Sequence, residues 1–389
     1  MALLWSIVAA GIVVIGAGPA GLAVASTLHR RGLPYALLER AAGVGSSWQS
    51  RYDLLRLHTV RWLSGLPRAG IPRRFGRWVA RDDFVRYLTD YARQFDVRPE
   101  FGVQVHRIDR SGERWLLQTS AGQRVADAVV VATGYSTVPI MPQWPGAAGF
   151  TGELLHSNDY REPSRYRGHQ VLVVGAGNSA AEIAVQLADN DVEVTLSVRT
   201  PPNIVRRDTL GVPTQLLGIA LRRVPEPVMN RLTGILRRIS VPELSAYGLP
   251  APAGAGFTQF LHTRTIPVID HGFVEHVRQR KISVVAAVEG FAGGSVLLAD
   301  GSSLQPDTVI CATGFRPGLD EMVGHLDVLD SAGVPLVHGA DTLPHARGLY
   351  FVGIDVRLSG LLRDIGIEAR AVGRALPRPT QAGPPTTRR

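Results

Sequence analysis

The chain has 389 residues, 45% of them hydrophobic, which is long enough to bury the cores of two globular domains. A single cysteine, Cys311, excludes a disulfide framework, a paired-thiol redox centre and a cysteine-based zinc site. The net charge of +9 rests on a basic set in which only Lys281 is lysine. These arginines are dispersed, with no aromatic-interleaved patch, so the charge argues against a nucleic-acid partner.

Met1 to Leu28 carries no charged residue, and the first bases, Arg30 and Arg31, follow the apolar run instead of preceding it. That order is wrong for a signal peptide, and Gly16, Gly18, Pro19 and Gly21 interrupt the run. A strand at 11–15 buried on both faces, a glycine turn and a helix to about Arg31 explain it, followed by a strand at Tyr35–Glu39. The protein is expected to be soluble and cytoplasmic. Residues 1–10 exceed what that strand needs and receive no role.

GAGPAG then reads as a dinucleotide turn in its full context. Gly16 permits the turn, Gly18 lets a pyrophosphate approach the backbone, and Gly21 lets the helix close on the strand. The helix N-terminus offers N–H groups to phosphates, and Glu39 can accept from ribose hydroxyls. An acid there repels a 2′-phosphate, so this site suits FAD or NAD better than NADP. Its candidate contacts are Gly16, Gly18, Pro19, Ala20, Gly21, Glu39 and Arg40.

Residues 82–95 have helical apolar spacing at Phe84, Tyr87, Leu88, Tyr91 and Phe95, opened by an Asp cap. Alternation at 103–108 and 115–119 predicts an antiparallel meander around Ser111-Gly112. The strand 129–131 leads into Ala132-Thr133-Gly134. A second βαβ unit follows: strand 171–174, the turn GAGNSA with Gly175, Gly177, Asn178, Ser179 and Ala180, a helix to about Ala188, and strand 192–198. This second strand ends at Arg199 instead of an acid, and a guanidinium there suits the 2′-phosphate of NADP. Two sites of opposite polarity point to one protein that binds FAD first and NADPH second. A strand-ATG echo recurs in VVATGY at 130–135 and VICATGF at 310–315, which makes Thr133, Gly134, Thr313 and Gly314 further candidates. Cys311 reads as a packed, inert strand residue.

The predicted fold is α/β: two dinucleotide-binding Rossmann-like domains, the NADPH domain inserted into the FAD domain. The expected layout is an FAD part at 1–162, an NADPH domain at 163–304, a second FAD part at 305–376 and a disordered tail at 377–389. Residues 203–262 fit no nucleotide-domain element and are expected to cover the active site. They include LLGIALRRV and MNRLTGILRRI, which leave membrane-surface contact open as a second use. Arg206, Arg207 and Arg222 are candidates to receive a substrate carboxylate.

The stretch FTGELLHSNDY, with Phe150, Gly152, His156 and Tyr160 at fixed spacing, resembles the fingerprint of flavin-containing monooxygenases. With GSSW at 45–48, YDLLRLH at 52–58, GAGNSAAEIA, both ATG motifs and LSGLLRDIGIEAR at 358–370, the chain looks like a class B flavin-dependent monooxygenase of the YUCCA-like branch. The resemblance covers roughly residues 11–375. It implies that FAD occupies the first turn and NADPH the second, with the Phe150–Tyr160 phrase supporting the nicotinamide nucleotide. Ser47, Trp48 and His58 would lie near the flavin. A helix beginning near Ser359 would aim its N-terminus at the flavin pyrimidine edge. His58 and His156 are expected as supporting residues at the reaction centre.

By the same resemblance, NADPH reduces the flavin, and a C4a-(hydro)peroxyflavin formed with O2 oxygenates a small organic substrate. YUCCA-like relatives decarboxylate aromatic 2-oxo acids oxidatively. N- or S-oxygenation remains an alternative. Baeyer–Villiger chemistry ranks lower because Tyr160 stands where those enzymes usually have Trp. A disulfide reductase shares the plan but needs a second cysteine, and a noncatalytic flavoprotein remains to be separated by assay. Oligomeric state is not legible.

Overall fold

The computed structural model describes residues 8–209, 211–220, 242–252, 266–355, 357 and 359–377. Its main strands are β1 (Val8–Ile15), β2 (Tyr35–Glu39), β3 (Glu100–Phe101), β4 (Val105–Ser111), β5 (Arg114–Thr119) and β6 (Gly122–Val131). They continue as β7 (Glu153–His156), β8 (Gln170–Val174), β9 (Glu193–Ser197), β10 (Ile282–Val285), β11 (Thr308–Cys311) and β12 (Leu349–Phe351). The helices that frame the site are α1 (Pro19–Arg30), α2 (Arg81–Gln94), α3 (Asn178–Ala188), α4 (Thr214–Ala220) and α5 (Leu361–Ala375).

The first sheet has a parallel core in the order β3-β2-β1-β6. The far edge of β6 is shared: its end pairs with β12 in parallel, and its beginning starts the antiparallel meander β6-β5-β4. Burial on both faces explains the absence of charge between Ile12 and Leu28. Ile12 and Val14 pack with Leu22, Val24 and Leu28 of α1 and with α5. Val13 and Ile15 face the other way, against Trp115, Val129 and Val131. Each fully buried Leu or Val of this kind contributes roughly 2 kcal/mol of hydrophobic free energy.

The second sheet is parallel throughout, in the order β10-β9-β8-β11-β7. One face is covered by α3 through Ile183, Ala184 and Leu187. A three-stranded antiparallel sheet at 288–304 covers the other through Phe291, Val296 and Leu298. The two sheets are two Rossmann-like units, and all strands of the second lie in sequence between β6 and β12. Among the described residues no helix is long and apolar enough to cross a membrane.

Three details differ from expectation. The chain crosses between sheets before Glu153 and returns after Cys311, not at the 162/163 and 304/305 boundaries, because β7 and β11 hydrogen-bond to each other inside the second sheet. The helix at 81–94 is not capped by an aspartate. Ala80 holds the cap position without a side-chain bond, and Asp82 and Asp83 lie in the first turn, where they complement the helix dipole. Strand β9 ends at Ser197, two residues before Arg199.

Candidate nucleotide and active site

The two glycine turns have the same physical design. Gly16 has φ +102°, and a Cβ there would stand 2.8 Å from the Ala132 carbonyl oxygen. A Cβ on Gly21 would lie 1.7 Å from the Gly16 oxygen, so only glycine lets α1 start so close to β1. Gly18 differs, since a Cβ there would meet nothing within 4 Å. In the second unit Gly175 has φ +140° and presses on the Ala312 oxygen, while Gly177 is open. Ala180 stands at the third position, buried beneath the turn. Neither α1, with Pro19 at its start and Ala20 buried behind it, nor α3 has a side-chain cap or an acid in its first turn. Their first N–H groups therefore lack intrahelical partners, and the backbone is open at Gly18 and Gly177 ahead of them, a fit for pyrophosphate.

Around the first turn, the buried Glu39 accepts from the Ala17 N–H at 2.6 Å and the Ala41 N–H at 2.9 Å. Each carboxylate oxygen keeps a further lone pair for a ribose hydroxyl. Thr133 Oγ1, at the end of β6, is buried with no hydrogen-bond partner, and the neighbouring Gly134 is open at φ +83°. An orphaned polar atom beside an uncapped helix end fits a bound nucleotide. Arg40 and Ser47 are exposed, and Trp48 packs edge-on against Phe84 at 4.6 Å.

The second turn is closed differently. The Asn178 side chain accepts from the Ile269 N–H at 2.7 Å and donates to the Pro267 oxygen at 3.1 Å, so it holds the chain instead of facing a ligand. Thr313 Oγ1 donates to the Ile140 oxygen at 2.5 Å. Residues Phe315 and Arg316 pair with Pro139 and Val138, which places the two post-ATG segments side by side where the chain changes sheets. Arg199 is exposed beyond β9.

The Phe150–Tyr160 phrase is a packing element. Phe150 meets Phe291 at 5.1 Å, and Gly152 passes so near Asp307 that a Cβ would stand 2.6 Å from its oxygen. Tyr160 is completely buried between Tyr52 and Tyr166, its hydroxyl donating to Gln186 at 3.3 Å. Protein atoms enclose Tyr160, and ring packing occupies Phe150. His156 is also buried. Its Nδ1 accepts from the Asn158 N–H at 3.0 Å, so Nε2 carries the proton and donates to the Gly314 oxygen at 3.1 Å. Burial pulls its pKa down, favouring this neutral form. His156 therefore fastens β7 to the second ATG loop and has no nitrogen left for acid–base work.

A buried polar cluster joins the two units. Glu182, in the second turn of α3, is 4% exposed. One carboxylate oxygen contacts His58 Nε2, and the other accepts the Tyr52 hydroxyl proton. His271 Nε2 lies 3.7 Å from the first oxygen. Burial pushes the Glu182 carboxyl up, but His58, His271 and Tyr52 outweigh it and hold its pKa below the ordinary value. Burial pulls the His58 imidazole down, but the Glu182 charge and hydrogen bond outweigh it and the net shift is upward. Two residues on, the Val60 N–H donates to Gln215 Oε1 at 3.0 Å, and Gln215 Nε2 donates to the Ser359 oxygen at 2.8 Å. Ser359 Oγ donates to Asp364 Oδ2 at 2.5 Å, and α5 starts at Leu361 behind Gly360. His58 thus lies between the start of α3 and the start of α5. The sequence reading missed Glu182, Gln215 and Asp364. An acid on an otherwise apolar helix face was the available signal for Glu182 and Asp364, whereas Gln215 had none.

The family model described as pyridine nucleotide-disulphide oxidoreductase matches residues 13–212. The probable indole-3-pyruvate monooxygenase YUCCA7 of Arabidopsis thaliana is 34% identical over 365 residues, covering 90% of this chain and 84% of that protein. Indole-3-pyruvate monooxygenase YUCCA1 of Oryza sativa subsp. japonica is 32% identical over 358 residues, covering 90% and 88%. The chain belongs to the flavin monooxygenases, in the YUCCA-like branch. A flavin-containing monooxygenase from Stenotrophomonas maltophilia superposes with a TM-score of 0.73 at 25% identity, over 95% of this chain and 99% of that one. Cyclohexanone monooxygenase, at 20% identity and a TM-score of 0.70 over 94% and 87%, shares the fold. The protein is therefore an oxidoreductase that uses a flavin and a nicotinamide cofactor. Cys311, the strand residue of the monooxygenase's second unit, is buried, and burial pushes its thiol up to about 12, so thiol redox chemistry has no foothold.

Beside His58 the monooxygenase gathers arginines and tryptophans. The Arg207 guanidinium lies over the Trp78 ring at 4.5 Å, and Arg77 lies near Trp78 and Trp62 at 5.3 and 5.8 Å. Arg207 Nε and Arg77 Nε are buried without hydrogen-bond partners. Burial lowers the Arg207 pKa, and Arg56 and Arg77 add to that, against Asp208 and Glu182. Within 203–262, residues 204–206 pair with 268–270, and α4 places Gln215 against the Val60 loop. Arg222, most of the two basic stretches, Leu358, Met1–Ile7 and the tail from Arg378 lie outside the described residues.

Proposed function

We propose that this flavin monooxygenase takes FAD on the Gly16–Gly21 turn and NADPH on the Gly175–Ala180 turn, and oxygenates a small aromatic 2-oxo acid with O2. The observation that carries the cofactor assignment is the pair of uncapped helix starts with opposite surroundings. Glu39 and the orphaned Thr133 hydroxyl flank the first, whereas the second has no acid in its first turn and an exposed Arg199 beyond β9. On this reading the FAD domain is formed by the two flanking parts of the chain and the NADPH domain by the middle. The bound flavin, once reduced by the nicotinamide, supplies oxygen activation. The chain's own residues hold the two cofactors in register and keep water out.

The relatives named indole-3-pyruvate monooxygenases support the substrate class. So does the Arg207–Trp78–Arg77–Trp62 group, which offers charge-assisted donors to a carboxylate next to aromatic faces for an indole-sized ring. The test is NADPH oxidation by FAD-loaded protein with indole-3-pyruvate, amines, sulfides and ketones, reading product and peroxide. The expected products are the acid one carbon shorter and carbon dioxide. An N-oxide or sulfoxide would move the enzyme to the N- or S-oxygenating branch, and peroxide alone with every substrate would sink oxygenation. Arg207→Gln should raise KM for the acid about tenfold and leave KM for NADPH unchanged.

A further inference from the structure

We propose that Glu182 is a positioning residue: it holds His58 as a charged pair, and so registers the nicotinamide-side helix α3 with the flavin-side helix α5. The inference rests on the FAD and NADPH reading above. Its geometric basis is a continuous path. Glu182 is anchored in the second turn of α3 and contacts His58 from the loop after α1 and β2. The next residues of that loop reach α5 through Val60, Gln215, Ser359 and Asp364, with bonds of 3.0, 2.8 and 2.5 Å. Gly360 permits this convergence, since a Cβ there would stand 2.5 Å from Gln215 Nε2 and 2.9 Å from Thr59. The path thus runs from α3, the helix of the proposed NADPH turn, to the start of α5, which the family resemblance expects to face the flavin.

The charges around the pair decide its state. Glu182 is enclosed, and a lone carboxylate there would be strongly disfavoured without a cation. His58 and His271 are the candidates within reach, while Tyr52 is neutral, burial and Glu182 holding its pKa well above the ordinary value. Arg207 opposes protonation of His58, and Arg51 acts on Tyr52. His58 makes the direct contact and His271 stands farther off at 3.7 Å, so His58 carries the charge. Because its affinity for the proton is raised by the fold, the pair's contribution is complete at low pH and is lost as pH rises through the folded value. The Glu182 charge is lost only at the acid end, below its own depressed value. The tie is intact between these limits.

The experiment is stopped-flow reduction of bound FAD by NADPH from pH 6 to 9.5 in the wild type, Glu182→Gln, Tyr52→Phe and His58→Asn. The amide of Glu182→Gln still accepts from Tyr52 but cannot hold an imidazolium. Its limiting reduction rate should fall about tenfold with FAD content retained. The alkaline decline expected of the wild type should move down by about one pH unit. Tyr52→Phe should keep that decline in place, and His58→Asn should abolish it. A merely structural Glu182 would lower FAD retention and leave the decline where it was, and that result overturns the proposal. If the wild type does not reduce its flavin with NADPH, the cofactor reading fails instead. A melting-temperature cycle of Glu182→Gln, His58→Asn and the double variant then decides the pair. Coupling at pH 6 that vanishes at pH 9 supports it, and additivity at both pH values overturns it.

Discussion

Gly16 and Gly175 press against the carbonyls of Ala132 and Ala312 in the same way, yet the loops around them are closed by different chemistry. In the first unit buried carboxyl groups hold backbone amides: Glu39 takes Ala17 and Ala41, and Glu368 of α5 takes Gly353 at 2.9 Å. In the second unit a neutral amide, Asn178, does that work across to Pro267 and Ile269. The repeated part is steric and cannot vary, because strand, turn and helix must meet within van der Waals distance. The closing groups vary because any donor–acceptor set can satisfy a loop, and their charge is then free to suit the ligand. An acid beside the first turn favours ribose hydroxyls and disfavours a 2′-phosphate, while the second leaves room for one.

Gly21→Ala should break this comparison most severely. Its Cβ would lie 1.7 Å from the Gly16 backbone oxygen, which cannot move without moving β1. Loss of FAD-containing folded protein, equivalent to about 4 kcal/mol or more, is expected. The mirror change, Ala180→Gly, should cost only about 1 kcal/mol of helix stability. Flavin content after purification and melting temperature check both. A flavin-loaded, stable Gly21→Ala protein would show that the close approach does not limit the first unit.

Glu39→Gln comes next. It leaves an amide that can serve only one of the two N–H groups well, and a buried unsatisfied donor costs about 1–3 kcal/mol. FAD should dissociate faster while NADP⁺ affinity is unchanged, and Asn178→Ala should do the reverse. Equal loss of both cofactors in either variant would mean that the units are not closed independently. Arg199→Ala is expected to be smaller, lowering the preference for NADPH over NADH in kcat/KM by about tenfold through loss of one charge-assisted contact.

The sequence carried the parts set by local sterics. Glycine spacing, an uncharged strand and a following apolar helix are encoded within thirty-odd neighbouring positions, so both turns and both βαβ starts were legible. The Phe150–Tyr160 phrase identified the family correctly, but a recurrent pattern does not reveal whether its residues face a ligand or a core. Tyr160 is closed in by Tyr166, six positions on, and by Tyr52, which is far off in the chain. His58 was singled out, but its partner was not, since Glu182 lies 124 positions away and only folding brings them together. The crossing points between sheets were missed for the same reason: β7 belongs to the second sheet through its pairing with β11, which is far off in sequence.

The finest effect separates the units by pH. Glu368 is buried on α5, and burial pushes its carboxyl up to about 7, against the Gly353 hydrogen bond and Arg357. A carboxyl raised by folding is held protonated in the native state while the unfolded chain has already released the proton. Stability from this group is therefore full below the unfolded value of 4.5 and declines as pH rises through about 7. Glu368→Gln fixes the neutral form and can still accept from Gly353. Its melting temperature should gain on the wild type between pH 5 and pH 8, by roughly 2–4 °C. Asn178 has no proton to lose, so Asn178→Ala should lower the melting temperature by the same amount at both pH values. A pH-independent gap for Glu368→Gln would mean that this carboxyl is ionised in the folded protein, with Arg357, 3.8 Å away, as its counter-ion.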